Sequence, residues 1–225
     1  MSTLLVWREK LQRIYALYSI YIQKTLQFVT GLVLFWSINS NIGFMKPASS
    51  VFCTLGIAVI CTFLPMTVTV LAATALILVH FYALSLPIAL VALVFFILMY
   101  IFYFRFTPKK AWLVVLSGLA FSLKIPFIIP VAFGLLGSPV WIVPASCGIV
   151  TYYMADYVKA SATVLKEADA TGIAVNLMRF TKQVLASKEM WLMVMTVMIG
   201  ILVVNFIRTR GVDHSWKIAS AAGAA

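Results

Sequence analysis

A chain of 225 residues that is 64% hydrophobic and 10% charged, with a mean hydropathy of +1.07, is not a soluble globular domain, in which about a quarter of residues carry charge. The 17 basic residues against 6 acidic ones give a net charge of +11. They gather at the ends of apolar stretches and form no groove-reading stripe, which excludes a nucleic-acid partner.

The opening residues, Met-Ser-Thr-Leu-Leu-Val-Trp-Arg-Glu-Lys, lack the charged head, apolar run and small-residue cleavage site of a signal peptide, so the first span is expected to direct insertion. Residues 3–24 are amphipathic. Leu4, Trp7, Leu11, Ile14, Tyr15, Tyr18 and Ile22 recur at helical spacing, with Arg8, Lys10, Gln12, Arg13, Ser19 and Gln23 mostly opposite. A basic helix with Trp and Tyr on its apolar face suits the headgroup boundary; the alternative is an extension of span 1 packed against neighbouring helices. Span 1, residues 26–44, is polar for a membrane helix, with Gln27, Ser37, Asn39, Ser40 and Asn41.

Between Lys46 and Arg105 there is no Asp, Glu, Lys or Arg, so hydrocarbon must surround most of the run. Leu64-Pro65 and Leu86-Pro87 divide it into spans 49–64, 66–85 and 88–104. Span 5 is expected over 111–136 and span 6 over 140–158, joined by Gly137-Ser138-Pro139. A polar segment, 159–188, follows. In it Asp169-Ala-Thr-Gly172 reads as a helix stop, and Ile173, Leu177, Phe180 and Val184 form a stripe opposite Arg179 and Lys182, a second interfacial helix. The last span is 190–207. In the tail, 208–225, Arg208 and Arg210 precede an apolar run from Trp216 that reads as the opening of a further span or as a surface segment.

The predicted architecture is a single all-α transmembrane domain, a polytopic bundle of about seven membrane helices, with two amphipathic interfacial helices on the inner face. Six spans fall in 26–158. With the N-terminus inside, the basic residues of the N-terminal helix, the 105–110 loop and the 159–188 segment lie inside, and Lys46, Arg208, Arg210 and Lys217 outside. Trp112, Trp141 and Trp191 each begin a span, as an aromatic belt requires.

Lys124 is the sharpest functional candidate, because an ammonium in mid-span costs about 2.5–3.5 kcal/mol. It lies in Phe121-Ser-Leu-Lys-Ile-Pro-Phe-Ile-Ile-Pro130, where Pro126 and Pro130 would disturb the carbonyls of Ser122 and Pro126. Backbone broken at membrane depth is tolerated only against protein or a water-filled cavity, and transporters build sites from it. The bland reading is a Lys124 that snorkels to a headgroup beside a kink. Asp156 lies near the inner end of span 6 with Tyr152 one turn earlier on its face; it reads as a pathway carboxylate or an interfacial one. His80 is alone, a proton relay or a satisfied intramembrane imidazole. The polar end of span 1 lines a pathway or bonds across helices.

Cys53, Cys61 and Cys147 fall in apolar spans without CxxC or Cys/His spacing, and read as small buried hydrophobes. GxSxG, HExxH, P-loop and paired-carboxylate signatures are absent, so no catalytic set, metal or cofactor is expected. The sequence favours a transporter, channel or permease subunit whose pathway involves Lys124, Ser122, Pro126, Pro130, Asp156, Tyr152 and His80. Behind it stand a non-catalytic scaffold of a larger complex and a membrane-embedded lipid-processing enzyme. Expected partners are the bilayer, anionic lipids at the inner face and other protein subunits; the expected location is the plasma (inner) membrane.

Overall fold

The two prolines of the uncharged run act as punctuation. Pro65 stands just outside one helix, and Pro87 lies in the first turn of another, where a helix needs no backbone donor. The computed structural model describes residues 2–162, 173–210 and 215–224, and the elements among them are all helical. They are α1 Ser2–Asn41, α2 Val51–Phe63, α3 Met66–Leu84, α4 Leu86–Phe106, α5 Ala111–Ser122 and α6 Ile128–Leu136, then a 3-10 turn Pro139–Trp141. After the turn come α7 Ile142–Ala160, α8 Ile173–Leu185, α9 Lys188–Thr209 and α10 Ser215–Ala224.

Met66–Leu84, Leu86–Phe106 and the stretch Phe180–Thr209 are long and apolar enough to cross a membrane; Val51–Phe63 and Ala111–Ser122 are apolar but shorter. The outer faces carry large exposed apolar side chains, among them Phe52, Ile101, Phe102, Leu192 and Ile199. Monomeric proteins in water rarely show such a surface. The helices are compatible with a membrane location, and three long apolar stretches fall short of the seven expected.

Helices α1 to α4 run up and down. Lys24 Nζ donates to Thr62 O, and Gln27 Nε2 donates to Cys61 O and Leu64 O, each at 2.7 Å. These side chains satisfy the last carbonyls of α2, which have no partner within their own helix. At the other end Asn39 Nδ2 donates to Thr54 Oγ1 at 2.7 Å, so α2 is antiparallel to α1. Helix α3 runs back alongside α1, and α4 returns against α3 through Tyr100 Oη and Thr74 Oγ1 at 2.7 Å. The end holding Lys24, Leu64 and the 107–110 turn is called the near end here, and the end holding Asn41 and Ser85 the far end. No break separates residues 3–24 from span 1 at residue 25; α1 is two helical stretches joined across a kink at Tyr18 (φ −119°, ψ 23°).

The expected fifth span over 111–136 is not one span. Trp112, at the start of α5, meets Phe133 of α6 at 6.4 Å between ring centroids and Trp141 at 5.4 Å. A continuous helix would hold residues 112 and 133 about 30 Å apart at 1.5 Å per residue. The chain therefore folds back at 123–127, and α5 and α6 form a hairpin of half-length helices that starts and finishes at the near end. Helix α7 runs parallel to α5, as shown by Ser117 Oγ donating to Pro144 O at 3.3 Å and by Phe121 against Tyr152 at 5.6 Å. The approach is close: a Cβ on Gly148 would lie 2.8 Å from Val114 O.

This fold-back reverses everything after it. Residues 159–188, expected on the same face as the 105–110 loop, leave α7 at the opposite, far end. Helix α8 lies there. Phe180 and Val184 of its apolar stripe are buried, with Phe180 tilted against Tyr157 at 5.8 Å between ring centroids, so this part of the stripe meets protein and not headgroups. Residues 163–172, including the expected stop at Asp169–Gly172, lie outside the described residues, as do the side chains of Ile173, Leu177 and Arg179. Helix α9 returns to the near end beside α6, and α10 packs back on both, with Ala219 fully buried. A buried core around Phe35, Phe81, Ile88 and Met154 joins α1, α3, α4 and α7; a second, around Phe121, Ile129, Phe133 and Ile201, fixes the hairpin to α7 and α9.

Candidate functional site

The hairpin turn is built by backbone capping. Ile125 N–H donates to Ala120 O at 2.9 Å and Lys124 N–H to Phe121 O at 3.0 Å, the paired bonds of a Schellman motif. That motif needs a left-handed residue just past the helix end. Here it is Lys124, with φ +60°, the one non-glycine residue of positive φ among the described residues. Lys124 is thus not the mid-span cation expected. It is an exposed residue at the apex of a hairpin.

The prolines also play another part. Pro126 follows the cap and keeps α5 from continuing, and its carbonyl accepts from Ile129 N–H at 3.1 Å. Pro130 lies in the first turn of α6, where its missing donor costs nothing. At the other end of α6, Asn205 Nδ2 donates to Gly134 O at 3.3 Å and Gly137 O at 3.0 Å, and Arg208 donates to Leu135 O. The carbonyl end of a short helix thus meets an amide and a cation, which suit its dipole.

The hairpin apex leaves a gap. Phe121 is level with Tyr152, while α7 runs on to Ala160, about 12 Å further at 1.5 Å per residue. Between α1, α3, α5 and α7 lies a half-open cleft with a cavity volume of about 100 Å³. Its deeper wall is aliphatic. Towards the far end it is polar: Ser37 and Asn41 of α1, Ser122 of α5, and Thr151, Tyr152, Asp156 and Lys159 of α7 all line it. The two serines stand one on each side, Ser37 Oγ hydrogen-bonded to Ser122 Oγ. Asn41 Nδ2 donates to Ser37 O at 2.9 Å and to Ser122 Oγ at 3.1 Å, and Lys159 Nζ donates to Asn41 Oδ1 at 3.4 Å.

Of the residues singled out from sequence, the cleft brings together Ser122, Tyr152 and Asp156; Lys124, Pro126, Pro130 and His80 do not line it. His80 is fully buried in another network. Met45 N–H donates to its Nδ1 at 3.2 Å, which leaves Nε2 as the protonated nitrogen, and Nε2 donates to Asn39 Oδ1 at 2.8 Å. Asn39 passes the chain on to Thr54 Oγ1 and Ala48 O. Both ring nitrogens are occupied in the neutral form, the arrangement of a structural imidazole. Sequence reasoning placed Lys159 among the loop cations. Its register, three residues beyond Asp156 on one helix face, was the available signal.

Among the described residues no three His, Cys, Asp or Glu side chains lie together as a metal site would need. Asp156, His80 and Lys124 do not converge, so the arrangement offers binding groups and no acid/base pair. No protein-family model, curated protein or solved structure matches this chain.

Proposed function

We propose that this chain is a multi-pass membrane protein acting as a permease or channel subunit, with the α5–α6 hairpin beside its solute pathway. The supporting observation is the hairpin itself. Two half-length helices joined by a turn short of the far end place irregular backbone within a bundle, which hydrocarbon does not tolerate unless protein or a polar cavity borders it. The polar cleft at Ser37, Asn41 and Ser122 is that cavity. Helices α1, α3, α4, α7 and α9 cross the membrane on this reading and the shorter α2 packs antiparallel along α1, with the near end inside, where Arg8, Lys10, Arg13, Lys24, Arg105, Lys109, Lys110, Arg208 and Arg210 gather.

Aqueous access tests it. In a cysteine-free background, Ser37→Cys and Ser122→Cys should react with a small charged thiosulfonate reagent in membrane vesicles, and Leu98→Cys on the exposed face of α4 should not. Protection of both cleft positions from both sides would remove the pathway and leave the scaffold reading, which the exposed N-terminal part of α1 favours. Residues 5–18 are all exposed.

A further inference from the structure

Asp156 and Lys159 stand three residues apart on α7, the spacing at which a carboxylate and an ammonium on one helix ordinarily meet. They do not meet. Lys159 reaches across to Asn41 Oδ1 at 3.4 Å, a long contact for a charged donor. Asp156 has neither a hydrogen-bond nor an ion-pair partner among the described residues. Both are exposed and line the same cleft, so its mouth presents a carboxylate and an ammonium that do not pair with each other, with the Asn41 amide and the Ser122 hydroxyl nearby. Deeper in, Leu34, Ile38, Val70, Ile77 and Leu119 leave only aliphatic surface.

We propose that the cleft takes a zwitterionic solute with an apolar side chain, of the amino-acid class. Its carboxylate lies on Lys159, its ammonium on Asp156 and its side chain against the aliphatic wall. A solute with only a carboxylate would face Asp156 as a like charge, and one with only an ammonium would face Lys159. The proposal rests on the permease reading and gives its pathway a cargo.

The test uses the full chain in phosphatidylglycerol nanodiscs and measures equilibrium binding of phenylalanine, 3-phenylpropionate, phenethylamine and glycine. Phenylalanine should bind at least about tenfold more tightly than each of the others, the loss expected for one charge-assisted contact or for the apolar body. Lys159→Gln should erase the preference for phenylalanine over the amine, and Asp156→Asn the preference over the acid. Equal binding of either half-molecule to the unmodified protein overturns the zwitterion assignment whatever the variants do, as does no binding of any probe. Phosphatidylethanolamine carries a similar pair of charges in a headgroup. Loss of phenylalanine binding when that lipid is added would assign the cleft to lipid and overturn a free solute. None of these results touches the permease reading, which is decided separately by aqueous access at Ser37 and Ser122.

Discussion

Lys124 shows how a single side chain can draw attention for the wrong reason. Its charge marks it in an apolar sequence, but its structural work is done by the backbone, in a left-handed conformation that costs a residue with a Cβ about 1–2 kcal/mol. Lys124→Gly should therefore raise the thermal midpoint, by an amount equivalent to about 1 kcal/mol, while Lys124→Met keeps the strain and should leave it nearly unchanged. A drop in midpoint for the glycine variant, by differential scanning fluorimetry, would contradict the capping assignment. His80 gives the complementary case. Asn39→Ala would strand His80 Nε2–H in a buried site, at a cost of about 1–3 kcal/mol. A loss of thermal stability with cleft accessibility intact is the expected result; loss of accessibility at unchanged stability would return His80 to the pathway. His80 and Ser122 could be nominated from sequence because polar atoms in an apolar run must find partners. Which partners they find depends on helix register, and one sequence does not carry that.

At the scale of elements, the division of the uncharged run was legible because Pro65 and Pro87 fall at helix starts, where proline is tolerated. The hairpin was not. An apolar stretch from 111 to 136 has the length of one tilted span, and hydropathy does not distinguish it from two half-helices folded together. The cue that remained was the closely spaced Pro126 and Pro130, which read as a break or a kink within one span. The hairpin's seat is specific enough to test. Asn205→Leu leaves the carbonyls of Gly134 and Gly137 without their donor and should destabilise the protein by about 1–3 kcal/mol, seen as a lower midpoint in thermal unfolding. A wild-type midpoint would mean that water or backbone takes over the cap. The exposed N-terminal part of α1 can meet either lipid or a protein partner, and the two are separable. A peptide covering residues 1–24 should lose affinity for anionic vesicles by up to about 1 kcal/mol for each of Arg8, Lys10 and Arg13 replaced by Gln. Equal affinity for neutral and anionic vesicles would assign that helix to a protein partner.

For the whole molecule, the all-helical class followed from composition, while the distribution of loops between the two ends depended on one element. With a spanning fifth segment, positions 109 and 182 share a face; with a hairpin they do not. In a cysteine-free background, Lys109→Cys and Val140→Cys should label from the same side of intact cells and Lys182→Cys from the other. Labelling of 109 and 182 from one side would restore the single span and remove the hairpin.

The hairpin also constrains the order in which the molecule is made. Its turn is local and α5 meets the earlier α1 and α3, but its closest-packed surfaces come later in the chain: Gly148 on α7, then Val204, Asn205 and Arg208 on α9. A ribosome delivers α5 and α6 before any of these exist, and α5 alone spans about 18 Å against an acyl core of roughly 30 Å. Until α9 emerges, the α6 carbonyls of Gly134, Leu135 and Gly137 lack the donors that cap them in the folded chain. Seating the hairpin is then a late assembly step, so that a chain arrested before residue 190 would hold α1 to α4 in place with an empty socket beside them.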